Sequence, residues 1–346
     1  MHFTNTYTTI DTHTAGEPLR IVTAGIPYIP GDTILAKRQW VKDNLDHVRT
    51  ALMYEPRGHA DMYGCYVTPP VTDAADFGVI FMHNEGYSSM CGHGIIALAT
   101  VAVTNSLVTP VIPETHIGID TPAGFVEAFV SWDGSKVGDV RFLNVSSFVY
   151  QQNLTVGTPS FGNLTVNIAY GGAFYAYLEA EQTNLKVVPR DLTQLVQLGD
   201  EVKHAVEAVM EVVHPLEPEL RGIYGTIIHE GYEPTGMIVP TPQRTHSLHQ
   251  RNVCIFAERE VDRSPTGTGT AGRVALLHAQ GKLQPDEVLA NSSILGTTFL
   301  GKIAKTSNVA GYPAVVPEVS GRASITGFCQ WVIEEDDPVA KGFLLR

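Results

Sequence analysis

Two short segments, far apart in the chain, carry the residue types that could do chemistry. Tyr87-Ser-Ser-Met-Cys91-Gly-His-Gly-Ile-Ile-Ala97 can be laid over Asp262-Arg-Ser-Pro-Thr266-Gly-Thr-Gly-Thr-Ala-Gly272. In each, a polar turn leads to a small residue with a thiol or hydroxyl, then Gly-x-Gly, then an apolar run, Ile95 to Val103 or Val274 to Ala279. Cys91 and Thr266 stand 175 residues apart, close to half of the 346-residue chain. The pattern predicts two similar halves, each presenting the N-terminus of one helix. The first N–H groups of a helix lack an intrahelical acceptor, and the macrodipole adds about half a positive charge there. Such an end holds a carboxylate, and the glycines at 92, 94, 267 and 269 are expected to let a ligand approach the backbone.

The two positions differ in what they can do. A cysteine at a helix N-terminus is expected to have its thiol pKa lowered, so that a thiolate serves as a base near neutral pH. A threonine hydroxyl has no useful basicity there. Racemisation needs a competent proton donor on the face opposite the acceptor, whereas elimination needs one base and a departing group, so the asymmetry favours elimination. Taken singly, each residue has a plainer reading: Cys91 as a buried small hydrophobe, Thr266 and Thr268 as N-cap residues, His93 as a satisfied histidine. Their joint occurrence at matching positions points to a site. His13 with Glu17, and His83 with Glu85, lack metal-ligand spacing, so no metal is expected.

The elements that must hold these residues read as many strands and few helices. β-branched and aromatic runs at Leu19–Val22, Phe77–Met82, Phe125–Val130, Leu164–Ile168, Phe174–Leu178 and Val253–Ala257 are punctuated by 32 glycines and 21 prolines. Helical periodicity is confined to Thr33–Asn44, Gly92–Val103, Asp191–Val213 and Gly267–Ala279. The predicted class is α+β rather than doubly wound, with about two domains for this length. The charged face of Glu201 to Glu211 reads as a surface helix, and Glu334-Glu335-Asp336-Asp337 as a solvated turn.

Composition removes several function classes. A net charge of −13 argues against a nucleic-acid or anionic-membrane surface, which would need clustered Lys and Arg. Four scattered cysteines in a chain that is 44% hydrophobic read as free thiols, with Cys65, Cys254 and Cys329 in the core. The start, Met1-His2-Phe3-Thr4-Asn5-Thr6, has no basic and then apolar leader, and Ile95 to Val103 falls short of the ~20 residues of a membrane span. The expectation is a cytoplasmic protein that acts on a small molecule.

Met90-Cys91-Gly92-His93-Gly94 and Asp262-Arg263-Ser264-Pro265-Thr266-Gly267-Thr268-Gly269 resemble the two active-site motifs of the proline racemase family. That family also holds 4-hydroxyproline epimerases and trans-3-hydroxy-L-proline dehydratases. The similarity runs along the chain, through Asp11-Thr-His-Thr-Ala-Gly-Glu-Pro18 with Arg20, Glu55-Pro-Arg-Gly58 with Asp61-Met62-Tyr63-Gly64, and His83-Asn-Glu-Gly-Tyr87. Thr326-Gly327, Asp337-Pro338 and Gly342-Phe343 extend it to the end. Racemases and epimerases of the family carry cysteine in both motifs; the Cys91/Thr266 pair looks like the dehydratase branch, which converts trans-3-hydroxy-L-proline to Δ1-pyrroline-2-carboxylate and water.

The resemblance implies a fold like that of diaminopimelate epimerase: two pseudo-symmetric α/β domains, each a curved sheet around a central helix, with the active site in the cleft between them. The halves are expected at 1–128, with 333–346 returning to it, and 129–332. It further implies Cys91 as the proton acceptor and Thr266 as the altered second acid/base position. Gly92, His93, Gly267 and Thr268 would hold the substrate carboxylate through helix-end N–H groups, and Asp262 the ring ammonium. No metal, pyridoxal phosphate or nicotinamide is implied, and a homodimer is. Cys91, or a neighbouring water, would return the abstracted proton to the leaving hydroxyl. The rival readings are a proline racemase or 4-hydroxyproline epimerase, and a non-catalytic family member that only binds its ligand.

Overall fold

A computed structural model describes residues 3–231 and 247–345, so the first two residues of the opening segment lie outside it. The chain divides into two compact units, Met1–Phe142 with Arg322–Arg346, and Leu143–Gly321. The divisions fall at 142/143 and 321/322 rather than at 128/129 and 332/333, because Gly124–Trp132 pairs along its length with Glu114–Thr121, and Ala323–Glu334 with Phe3–Thr14, both in the first unit.

In the first unit the strand order is Ala323–Glu334, Phe3–Thr14, Glu17–Ala24, Tyr63–Thr68, Phe77–His83, Glu114–Thr121, Gly124–Trp132. Successive pairs are antiparallel, antiparallel, parallel, antiparallel, parallel and antiparallel. Each parallel pair requires a crossover. Helices α1 (Ile34–Asn44) and α2 (Asp46–Met53) supply the first, and α3 (Gly92–Thr104) lies in the second. α3 is apolar all round and buried from Gly92 to Val103, packed against Phe3–Thr14, Ala323–Glu334 and Gly124–Trp132. The sheet is wrapped around it.

The second unit repeats the plan. Its order is Ser147–Thr158, Gly162–Tyr170, Phe174–Glu179, Gly225–Gly231, Ser247–Phe256, Val288–Ser292, Thr298–Val309, Tyr312–Gly321. The first six pairings have the same senses as those of the first unit, and the last strand returns to pair with the first, closing a ring. α4 (Leu192–Val209) makes the first parallel crossover and α5 (Gly267–Ala279) lies in the second. α5 is buried from Gly267 to Leu277 among the strands that encircle it. α4 instead presents one apolar stripe of Leu195, Leu198, Val202 and Val206 and leaves its charged face outward.

Three local readings change. α4 ends at Val209 rather than Val213, because Val212 accepts a backbone hydrogen bond from Gly222 and Val213 bridges to Arg221. α2 was not legible: it follows α1 directly, and its N-cap Leu45 offers no side-chain acceptor. Asp337 is not only a solvated turn residue, since its carboxylate pairs with Arg57 at 3.2 Å. All four cysteines are free thiols, and among the described residues no helix is long and apolar enough to cross a membrane.

Candidate active site

Each buried helix is entered from a short strand folded back on the strand before it. Gly86–Tyr87 pairs with Met82 and His83, and Glu260–Asp262 with Cys254 to Phe256. The chain then turns inward and starts the helix at Cys91 in one unit and at Thr266 in the other.

Cys91 caps α3 with its sulfur. Its backbone is extended, and Sγ accepts the Gly94 N–H at 3.2 Å. His93 packs beside it, with Nδ1 3.2 Å from Sγ and Nε2 3.3 Å from the carbonyl of Pro18. The hairpin that delivers Pro18 turns at Ala15 and Gly16, both at positive φ, and Thr14 Oγ1 donates to the His93 carbonyl at 2.8 Å. Tyr63 meets the His93 ring edge-on at 4.9 Å, and its hydroxyl hydrogen-bonds Ser88 Oγ at 2.5 Å. Cys91 and His93 are each 4% exposed, so the thiol and imidazole face one another in a dry setting. A sulfur that receives donors from a helix end and lies against an imidazole is set up to carry negative charge.

Thr266 starts α5 differently. Its φ is 62°, a left-handed value that a β-branched residue rarely adopts, and holding it there costs about 1–3 kcal/mol. The surroundings enforce it. The Pro265 carbonyl accepts from Asn252 Nδ2 at 3.0 Å, Asn291 Nδ2 at 3.2 Å and Thr270 Oγ1 at 3.2 Å. Thr266 N donates to Ser264 Oγ at 3.1 Å, and Ser264 N to Asp262 Oδ1 at 2.7 Å. The Thr266 side chain caps nothing: it is 5% exposed and its Oγ1 has no hydrogen-bond partner among the described residues. A buried, unsatisfied hydroxyl held against strain is what a substrate-facing position requires.

The first turn of α5 is anchored by two phenols. Tyr175 OH and Thr268 Oγ1 are 2.7 Å apart, and Tyr177 OH donates to the Gly269 carbonyl at 2.8 Å. Burial raises both phenol pKa values well above their ordinary value, so they remain hydrogen-bond donors.

Cys91, Gly92 and His93 thus come together in the first unit, and Asp262, Thr266, Gly267 and Thr268 in the second. Two glycines serve a purpose other than the expected one. A Cβ at Gly94 would lie 2.4 Å from Phe81 Cε1, and one at Gly269 2.1 Å from Ile227 Cδ1, so both are there for close packing of helix on strand. Asn252, Asn291, Tyr175 and Tyr63 went unread in the sequence. Each sits in a strand pattern, and its site partner lies 13 to 93 residues away for the three with a hydrogen bond to the α5 start.

With this geometry in place, the comparisons are specific. The family model described as proline racemase matches residues 9–344. The chain belongs to the proline racemase family. Over 346 residues and the whole of both chains, this family member is 52% identical to a trans-3-hydroxy-L-proline dehydratase of Azospirillum brasilense. It is also 51% identical, over the same extent, to a 3-hydroxyproline 2-epimerase of Burkholderia multivorans. Among solved structures, a hydroxyproline epimerase from Agrobacterium vitis with bound trans-4-OH-L-proline superposes with a TM-score of 0.90 at 28% identity, over 100% of this chain and 97% of that one. The fold is therefore that of the proline racemase family: in each unit a mixed sheet surrounds one buried helix.

Proposed function

We propose that this chain is a trans-3-hydroxy-L-proline dehydratase that works without a cofactor, with Cys91 as the base that removes the Cα proton. One observation carries the reading: equivalent helix starts hold unlike groups, a thiol whose sulfur accepts a helix N–H and lies against an imidazole, and a strained hydroxyl with no hydrogen-bond partner among the described residues. Such a pair contains one base rather than two. The activity for which the Azospirillum brasilense relative is named supports the same assignment.

In this mechanism the substrate carboxylate takes the N–H groups of Gly92, His93, Gly267 and Thr268, and the ring ammonium pairs with the Asp262 carboxylate. Fixed dipoles then offset the carbanion character that develops at Cα. The Cys91 thiolate takes the Cα proton, the C3 hydroxyl departs, and the enamine tautomerises to Δ1-pyrroline-2-carboxylate. Thr266, on the other ring face, positions the ring and moves no proton. A cytoplasmic homodimer is part of the same reading.

A second reading, epimerisation at C2, is favoured by the Burkholderia multivorans relative. It needs an acid/base group on both ring faces, which threonine does not supply. The test is Cys91→Ser assayed with trans-3-hydroxy-L-proline. Loss of the base should lower the rate of water elimination by about 10²–10⁴, and a variant that eliminates at the wild-type rate would remove Cys91 from the mechanism.

A further inference from the structure

Elimination needs a proton donor for the departing hydroxyl as well as a base. In a trans-3-hydroxy-L-proline, the hydroxyl lies on the ring face opposite the carboxylate, and hence on the same face as the Cα hydrogen. Acceptor and donor must therefore work from one side, that of Cys91. A donor has to be found beside the sulfur.

His93 is that neighbour, and its protonation pattern follows from its contacts. A carbonyl only accepts, so the Nε2 atom that faces the Pro18 carbonyl at 3.3 Å carries a hydrogen. Nδ1 is then the ring nitrogen with the free lone pair and the nearer of the two to Cys91 Sγ, at 3.2 Å against 3.6 Å for Nε2, so a turn of the ring about its Cβ–Cγ bond brings that lone pair onto the thiol. Moving that one proton converts thiol and imidazole into thiolate and imidazolium, with no change in net charge. Thr14 fixes the His93 backbone and Tyr63 packs against the ring, so Nδ1 is kept beside the sulfur.

We infer that His93 is the catalytic acid, the imidazolium of a Cys91–His93 pair that hands its Nδ1 proton to the leaving hydroxyl. The inference rests on the dehydratase reading above and assigns the step which that reading leaves open. The thiolate forms a bond to the Cα hydrogen while the C3–O bond breaks with its electron pair, and Nδ1–H supplies the proton that makes the leaving group water. The pair ends as thiol and neutral imidazole. Transfer of the thiol proton to Nδ1 restores the starting state, and the enamine reaches the imine by exchanging its N–H for a C–H at C3. Ionisable groups on the elements packed around α3 are Glu17, His13, Tyr7, Glu127, Cys329, Glu334 and, through Tyr63, His83; Asp11 and Arg20 are held by one another at 2.8 Å.

Fluoride leaves without a proton, which separates the acid from the base. Wild type and His93→Asn are compared on trans-3-hydroxy-L-proline and trans-3-fluoro-L-proline, with thermal melting to verify folding. The expected result is that water loss falls about 10²-fold or more beyond the fall in fluoride loss, the usual range for a general acid. Equal falls on both substrates would overturn the assignment and return the proton to Cys91 itself. A wild type that releases neither water nor fluoride would fail the substrate reading itself. A second measurement does not depend on substrate. Iodoacetamide alkylation of Cys91 should be nearly flat between pH 6 and 8 in the wild type and climb with pH in His93→Asn, whose thiol has lost its ion-pair partner. Coincident, steeply rising profiles would show that no ion pair forms.

Discussion

At the scale of single residues, the informative contrast is between a satisfied sulfur and an unsatisfied hydroxyl. Cys91 has a helix N–H and an imidazole at its Sγ, whereas Thr266 is forced to a φ of 62° with Oγ1 unpartnered among the described residues. Three donors on the Pro265 carbonyl hold that strained peptide, so the position is defined by the scaffold rather than by the threonine. A cysteine placed there inherits the same backbone at the same helix end. Thr266→Cys is therefore expected to exchange the Cα hydrogen of L-proline for deuterium in deuterated water, weakly but above wild type, because both ring faces then carry an acid/base group. A folded variant with no exchange would remove Thr266 from the second acid/base position. Cys91 and Thr266 were singled out because two motifs repeat at a fixed offset, and Asp262 only through the family resemblance. Asn252 and Asn291 were not, since a buried amide within a strand reads as any other strand position until its long-range partner is known.

At the scale of elements, both site helices are buried within their own unit, and the start of α5 is set by a backbone contact that tolerates no added atom. The clearest is at Gly171, where a Cβ would lie 2.2 Å from the Thr268 carbonyl oxygen and 2.6 Å from the Gly272 nitrogen. Neither backbone atom can rotate away. Gly171→Ala should destabilise the protein by about 1–3 kcal/mol, the range for overpacking, and lower turnover by displacing the first turn of α5. Gly157→Ala is the control, because its Cβ would meet nothing nearer than Asn163 Oδ1 at 3.5 Å. Equal melting temperatures for the two variants would show that the first turn has room to spare. The five helices illustrate what sequence conveys about elements. α3 and α5 begin where Gly-x-Gly precedes an apolar run, and α1 begins after Thr33, whose side chain accepts from Ala36 N. α2 has no such cap, and the end of α4 is decided by a backbone pairing that local periodicity does not encode.

At the scale of the whole molecule, the chain folds one plan twice. The six pairing senses repeat in order, each unit folds a short strand back before its buried helix, and both helices are 13 residues long. In the proposed mechanism the chemistry follows from the one difference between the two plans, a thiol at one helix start and a hydroxyl at the other. Parallel incubation in deuterated water with trans-3-hydroxy-L-proline, cis-3-hydroxy-L-proline, trans-4-hydroxy-L-proline and L-proline, following imine formation and Cα configuration together, tests this most directly. The account predicts pyrroline-2-carboxylate from the trans-3 isomer and no inversion of the other three. Inverted, deuterated hydroxyproline or proline, with no imine from the trans-3 isomer, would contradict it.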